Sequence, residues 1–492
     1  MSTTTTRREF LQLAGAAPLA LHAGAALGTT PPATRRPNCV FILIDDLAYG
    51  ALRCLGHPWV DTPHLDALAG GGAIFERAYV TTALCSPSRA SILTSLYAHR
   101  HRVLDNNTPL PDKLATYPTL LHDAGYRNAF IGKWHMGGGL KQAAPGFDHW
   151  VTFPGQGEYY GQKITVDGVE AEAGYITDTL TDYAVRFIEQ SAAGPFSLFL
   201  AHKATHHPFK PAERHKDCYK DKVYPRPASM ADTDENYRGK PAWVRAQRAS
   251  WHGVDGMYNN ATDFDRYTRE YAETLRAVDD SVGRVVEALR AAKQLDNTVI
   301  VFTGDNGLQF GEHGLIDKRT FYEASIRVPM IVHWPGVVKP GRRIKEAVLN
   351  IDHAPTFLEA AGIAAPDGFQ GRSYLSLLRG EQTTWRESFL YEYFWERSFP
   401  QTPTVLGLHT GRYKLAQYHG VWDKYELYDL ENDPEEMNNL LAEFMVSTEG
   451  GELDGLIARK SKGTPLGELY TTLRKQLNEQ LKQTGCAPEP RW

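Results

Sequence analysis

Asn38-Cys39-Val40-Phe41-Ile42-Leu43-Ile44 is a nearly continuous apolar run of strand length, and it ends in Asp45-Asp46. A run that is apolar at nearly every position suits a strand covered on both faces, as in a parallel sheet. Open α/β sheets bind ligands outside the carboxyl ends of their strands. Two adjacent carboxylates there repel each other unless a cation neutralises them. They read either as ordinary hydrated turn residues or as half of a metal site. A second run of the same kind, Thr298-Val299-Ile300-Val301-Phe302-Thr303, ends in Gly304-Asp305-Asn306-Gly307. Asp45, Asp46, Asp305 and Asn306 together offer carboxylate and amide oxygens, a donor set for a hard cation such as calcium. Zinc would want His or Cys instead.

Working outward, Tyr126 to Gly132 and Pro195 to Ala201 read as further buried strands, with Pro329 to His333 and Glu346 to Asn350 after them. Tyr175 to Gln190 is an amphipathic helix. Tyr271, Leu275, Val278, Val282, Val285 and Leu289 follow a 4-3-4-3-4 spacing, one face of a long helix against the sheet. Thr62-Pro63-His64-Leu65-Asp66 reads as the start of a helix capped by Thr62 with Pro at its first position, and Asp352-His353-Ala354-Pro355-Thr356 opens another. Gly155 to Glu170 reads as a surface loop. Strands alternating with helices predict an α/β fold with a large, mostly parallel central sheet flanked by helices. The texture changes near Gln382. Beyond it, Phe389-Leu390-Tyr391-Glu392-Tyr393, Tyr413-Lys414-Leu415 and Glu426-Leu427-Tyr428-Asp429-Leu430 predict a small antiparallel sheet, closed by a helix from Leu466 to Gln483. The expected division is residues 1–36 as leader and linker, 37–384 as the main domain, and 385–492 as a small α+β subdomain. No internal repeats are evident.

Candidate chemistry gathers at three further places. In Thr82-Ala83-Leu84-Cys85-Ser86-Pro87-Ser88-Arg89-Ala90-Ser91-Ile92-Leu93-Thr94, Ser86 is a predicted helix cap and Pro87 suits the first turn. Cys85 then sits just before a helix N-terminus, where N–H groups favour an anion. It reads as an activated sulfur or an anion cradle, or more blandly as a small buried Cys. Gly132-Lys133-Trp134-His135-Met136-Gly137 could present two donors to one anion. Thr205-His206-His207-Pro208-Phe209 follows a strand end, either as surface His or as a functional pair.

In this order these motifs resemble the type I sulfatases of the alkaline phosphatase superfamily. C-x-P-x-R before Ala-Ser-Ile-Leu-Thr is similar to their first signature and G-K-W-H to their second. Thr205-His206-His207-Pro208 matches the family's P-H-x-P, with Thr205 in place of Pro, so His206 or His207 is the matching His, with Pro208 pointing to His206. Lys318-Arg319-Thr320-Phe321-Tyr322-Glu323 before Arg327-Val328-Pro329 is similar to K-x-x-x-Y-E, and Glu426-Leu427-Tyr428-Asp429-Leu430-Glu431-Asn432-Asp433-Pro434 to the C-terminal motif. The resemblance covers about Pro37 to Leu440. It implies an alkaline-phosphatase-like sandwich and hydrolysis of sulfate monoesters. It also implies a calcium ion on Asp45, Asp46, Asp305 and Asn306, completed by residue 85. Cys85 would be oxidised to Cα-formylglycine by a formylglycine-generating or sulfatase-maturating enzyme, and the hydrate would be the nucleophile. Asp305 would accept a proton from that hydrate, Arg89 and Lys133 would hold it, and His135 would deprotonate its second hydroxyl. Lys318 and His206 would bind the ester, and one of them, His206 ahead of Lys318, would protonate the leaving alcohol. Overall likeness is greatest to the N-acetylglucosamine-6-sulfatase branch, which implies a sulfated saccharide such as a glycosaminoglycan. The open alternatives are a small aryl sulfate, a phosphonate or phosphodiester, or a sulfated-glycan binding protein without activity.

The remaining features bound the setting. The chain has 492 residues, 42% hydrophobic and 23% charged, as in ordinary globular proteins. A net charge of −5 argues against nucleic-acid binding. The five cysteines are widely spaced and form no disulfide framework. Thr6-Arg7-Arg8-Glu9-Phe10-Leu11 ahead of an Ala-rich apolar stretch from Leu13 to Leu27 looks like a twin-arginine export signal, implying the twin-arginine machinery and a periplasmic or secreted product. No Cys ends that stretch, so no lipid anchor is expected. Lys210 to Asn260 lacks periodicity but holds Tyr219, Tyr224, Trp243, Trp251 and Tyr258, either packing aromatics or sugar-stacking ones.

Overall fold

The computed structural model describes residues 36–487, except 138–140, 192, 423, 446–456 and 458–460. The expected export signal lies outside the described residues. Ten strands form one sheet, in the order β11-β2-β10-β9-β1-β8-β4-β5-β6-β7. In chain order they are β1 (Asn38–Ile44), β2 (Ala73–Phe75), β4 (Arg127–Lys133), β5 (His149–Phe153), β6 (Lys163–Val166), β7 (Val169–Glu172), β8 (Phe196–Ala201), β9 (Thr298–Gly304), β10 (Met330–His333) and β11 (Arg342–Ile344). The run β9-β1-β8-β4-β5 is parallel throughout. Antiparallel pairs appear only outside it, where β10 meets β9 and β2, and β6 meets β5 and β7. The sheet is therefore mixed, with a parallel centre.

The apolar run of β1 is explained by its place. Cys39, Phe41 and Leu43 enter one apolar cluster and Val40, Ile42 and Ile44 the other. With both faces covered, no position can be polar without a buried penalty. The helix Phe264–Ala291 puts Tyr271, Leu275, Val278, Val282, Val285 and Leu289 into the second cluster, as its spacing predicts. The helices Cys85–Thr94 and His353–Ala360 bury residues on the opposite face.

Beyond the main sheet, β3 (Ala78–Tyr79) pairs with β12 (Val348–Leu349). The strands β13 (Phe389–Tyr393), β14 (Thr404–His409), β15 (Tyr413–His419) and β16 (Tyr425–Asp429) form the separate antiparallel sheet. The helix Pro465–Thr484 closes it, and its Leu473, Leu477 and Leu481 share an apolar cluster with β13.

Three expectations change. Gly155 to Glu170 is not simply a loop, because β6 and β7 make a hairpin there; most of its side chains are exposed, so burial left little pattern in the sequence. Ser86 does not cap a helix. The helix begins at Cys85, and the Ser86 hydroxyl instead donates to the His135 carbonyl at 2.6 Å. Thr62 precedes the helix Pro63–Gly71 without a capping side-chain bond. The Lys210 to Asn260 stretch folds into short turns of helix, with Tyr219 buried, while Trp251 stacks on His252 and stays 50% exposed.

Candidate functional site

The in-register pairing of β1 with β9 aligns Ile44 with Gly304, so the residues that follow emerge side by side. The Asp46 N–H donates to Asp305 Oδ1 at 3.1 Å, and Asn306 Nδ2 donates to Asp46 Oδ1 at 2.8 Å. Asp46 holds a left-handed φ of 56°, a conformation Asp tolerates better than most residues. One carboxylate oxygen from each of Asp45, Asp46 and Asp305 lies within 4.8 Å of the others. Asn306 Oδ1 is buried beside them without a hydrogen-bond partner among the described residues. Converging hard oxygens with an unsatisfied amide oxygen fit a calcium-type ion.

Cys85 joins this cluster from the first turn of its helix, its Sγ 3.3 Å from Asp45 Oδ1. Burial, and then the Asp45 charge, push its thiol well above the ordinary range. A thiol in that state is a poor nucleophile. One turn on, Arg89 donates from Nε to Asp305 Oδ2 at 2.9 Å and from a terminal nitrogen to the Lys133 carbonyl. Lys133, at the end of β4, bonds Asp45 and Gln156 through its Nζ. Gly132 before it has φ +125°, and a Cβ there would lie 1.8 Å from the Ala201 carbonyl oxygen, so only glycine lets β4 run this close to β8. Lys318 donates to Asp46 Oδ2 at 2.6 Å.

His206 Nε2 lies 3.7 Å from Asp46 Oδ2, while His206 Nδ1 is 2.5 Å from the His207 carbonyl. His207 instead stacks on Tyr258, with ring centroids 3.5 Å apart. Of the two histidines, His206 is the one facing the cluster. His135 is buried with Nδ1 unpartnered among the described residues.

The charges divide by partner. Burial pushes the Asp45 carboxyl up, but Lys133, His206, Arg89 and Lys318 outweigh it and hold it well below the usual range. Asp305 goes the other way: burial, then the Asp45 charge, bring it to about 7. Burial, then the Lys318 charge, hold His206 well below the ordinary imidazole value.

Cys85, Arg89, Lys133, His206, Lys318, Asp45, Asp46, Asp305 and Asn306 converge here, and His135 adjoins them through the Ser86 hydroxyl bond to its carbonyl. Sequence reading missed their supports. Tyr271 reads as a core residue, yet its hydroxyl donates to the Asp46 carbonyl at 3.0 Å. The Thr205 N–H donates to the Asp45 carbonyl at 2.7 Å, and the Tyr159 hydroxyl donates to the His206 carbonyl at 2.9 Å. These are bonds to backbone, which carry no residue-type signature.

Three carboxylates matched against Arg89, Lys133 and Lys318 leave room for an anion with several oxygens only if a further positive charge is present. That is the chemistry of a hydrolase for tetrahedral oxyanion esters. Residues 37–363 match the Sulfatase family model, and residues 311–457 match that of the N-sulphoglucosamine sulphohydrolase C-terminal region. The chain belongs to the sulfatase family and is a sulfuric ester hydrolase. It is 33% identical to an N-acetylglucosamine-6-O-sulfatase of Bacteroides thetaiotaomicron over 87% of each chain. It is 33% identical to the N-acetylglucosamine-6-sulfatase of Homo sapiens over 80% of this chain and 74% of that one. Among solved structures it is similar to a protein held in complex with its substrate D-glucosamine-2-N,6-O-disulfate, with TM-score 0.81 and 29% identity, covering 92% of this chain and 98% of the other.

Proposed function

We propose that this sulfatase removes O-sulfate from a sulfated saccharide, with N-acetylglucosamine 6-sulfate as the first substrate to test. The observation that carries the reading is Cys85 Sγ set 3.3 Å from Asp45 Oδ1 at the meeting point of three carboxylates and three basic side chains. The relatives named above support the saccharide.

Cys85 is the residue to be oxidised to formylglycine by a maturating enzyme, because its own thiol is held protonated and lacks the oxygen chemistry a hydrolytic cycle needs. Asp45, Asp46, Asp305 and Asn306 would hold calcium, which when bound supplies charge neutralisation for the sulfate. Arg89 and Lys133 hold residue 85 and balance the carboxylates. Lys318 binds the sulfate ester. The negative charge of a bound sulfate ester would favour the His206 imidazolium, which then delivers a proton from Nε2 to the leaving alkoxide oxygen as the S–O bond breaks, since a sugar alkoxide is too basic to leave unaided. His135, whose carbonyl accepts the Ser86 hydroxyl next to residue 85, accepts a proton later in the cycle. Asp305 accepts one at the start. Export by the twin-arginine route, which carries folded proteins, would let Cys85 be modified before the enzyme reaches the periplasm or the medium. No helix of the described residues is long and apolar enough to cross a membrane.

The test is sulfate release from defined sulfated saccharides, alongside mass spectrometry of the peptide spanning Cys85. The expected result is release from 6-O-sulfated glucosamine derivatives by protein carrying the aldehyde or its hydrate. Release only from aryl sulfates, or full activity with an unmodified thiol, would overturn the reading.

A further inference from the structure

We propose that Lys203 is a positioning residue for His206, acting through Tyr159, and this rests on the reading of His206 as the group that protonates the leaving oxygen. Lys203 follows the end of β8 and is 1% exposed. Its Nζ is buried and has no hydrogen-bond partner among the described residues. A buried ammonium without such a partner is costly, so something else must hold it. The Nζ lies over the Tyr159 ring, 4.7 Å from the centroid. That arrangement attracts a cation to the ring face, most strongly where water is excluded.

The ring it covers is itself fixed. Tyr159 is fully buried and stacks on Tyr175, with centroids 6.0 Å apart and planes 20° from parallel. Its carbonyl accepts the Ile176 N–H at 2.8 Å. Its hydroxyl donates to the His206 carbonyl at 2.9 Å. The circuit closes through the backbone, because the His206 N–H donates to the Lys203 carbonyl at 3.0 Å. Lys203 thus holds the His206 turn from two sides, once through its own carbonyl and once through its ammonium on Tyr159. The His206 ring is oriented in turn by the 2.5 Å contact of Nδ1 with the His207 carbonyl, which leaves Nε2 facing the site. Burial, then the Lys133 charge, lower the Lys203 pKa to about 8, while Asp45, Glu158 and Asp46 act to raise it. Those neighbours place the ammonium in the field of the site without a direct ion pair among the described residues.

Displacing a proton donor by a fraction of its reach costs rate only where the proton is needed. Lys203→Met should lower kcat on N-acetylglucosamine 6-sulfate by about 10-fold to 10²-fold with little change in KM. On 4-nitrophenyl sulfate, whose phenolate leaves without help, the loss should be about threefold at most. Tyr159→Phe, which removes one hydroxyl, should show the same selectivity, and Lys203→Arg should recover most of the lost rate. In a His206→Ala background, Lys203→Met should add little further loss, since coupled residues are not additive. Thermal melting checks folding of each variant, and if Lys203→Met does not fold, Tyr159→Phe alone and combined with His206→Ala decides. A selective His206→Ala alongside an unselective or additive Lys203→Met or Tyr159→Phe overturns the proposal. If His206→Ala itself harms both substrates equally, the assignment of His206 fails and the positioning role with it.

Discussion

Asp45 and Asp305 are neighbours because β1 and β9 run parallel and in register, with Ile44 opposite Gly304. His206 and Lys318 come to the same point from irregular backbone, held by Tyr159, Thr205 and other contacts from distant parts of the chain. One half of the site is thus a product of sheet geometry and the other of tertiary packing. The carboxylate half is placed by the pairing of two strands, with Tyr271 and Thr205 bonding the Asp46 and Asp45 carbonyls. The leaving-group half needs a hairpin-bearing segment, a helix start and a turn all in place. Strand ends are rigid, and loops supply variable chemistry on that scaffold. The carboxylate half should therefore govern whether any ester is cleaved, and the loop half which ester is cleaved well.

The comparison breaks first at Cys85, which stands between the halves. Cys85→Ala should reduce desulfation of every ester to background while leaving the melting temperature nearly unchanged. Residual turnover on any substrate would show that another nucleophile exists. Next comes the carboxylate half. Asp46→Ala should cut both bound calcium, measured by elemental analysis, and kcat on sugar and aryl sulfates alike, on the order of 10³-fold, because charge neutralisation serves all leaving groups. Chelation should do the same reversibly, and full activity in metal-free protein would remove the cation from the site.

The loop half should behave differently. His206→Ala should lower kcat on the sugar sulfate by about 10²-fold and on 4-nitrophenyl sulfate much less. That ratio, measured against the even loss at Asp46, sharpens the division of labour. The smallest effect is expected far from the chemistry. His99 bridges Glu392 Oε2 at 2.8 Å and the Thr484 carbonyl at 2.9 Å, tying β13 to the last helix. Burial opposes its charge, but bonds with Cys486, Glu392 and Thr484 outweigh it and raise its pKa to about 10. A pKa raised above the ordinary 6.5 stabilises fully below about pH 6.5 and is lost as pH rises through about 10. His99→Gln should lower the melting temperature by roughly 3 °C at pH 6 and by less at pH 10. An equal loss at both values would show that the ring packs rather than pairs.

Residue type and order were enough for the buried strands and the long helix and marked Asp45, Asp46, Asp305 and Asn306 as a candidate cation set, whereas Cys85, Lys133 and Lys318 were singled out by the family resemblance of their motifs. Continuous burial forces apolar residues, and the chemistry of an anionic ester demands particular side chains at strand and helix ends. The β6–β7 hairpin was illegible because its exposed residues record no burial. The start of the Cys85 helix was misread because the Ser86 hydroxyl is spent on the His135 carbonyl, a partner 49 residues away. Pro208 already points to His206 in the sequence, and the fold separates the two rings physically: one meets Asp46 while the other is taken up by Tyr258. Lys203 shows the same limit, since its buried ammonium is assigned by a ring 44 residues earlier in the chain. Local sequence carries burial and side-chain chemistry. Which of several suitable groups points at the reacting atoms depends on contacts between distant segments, and those exist only once the chain has folded.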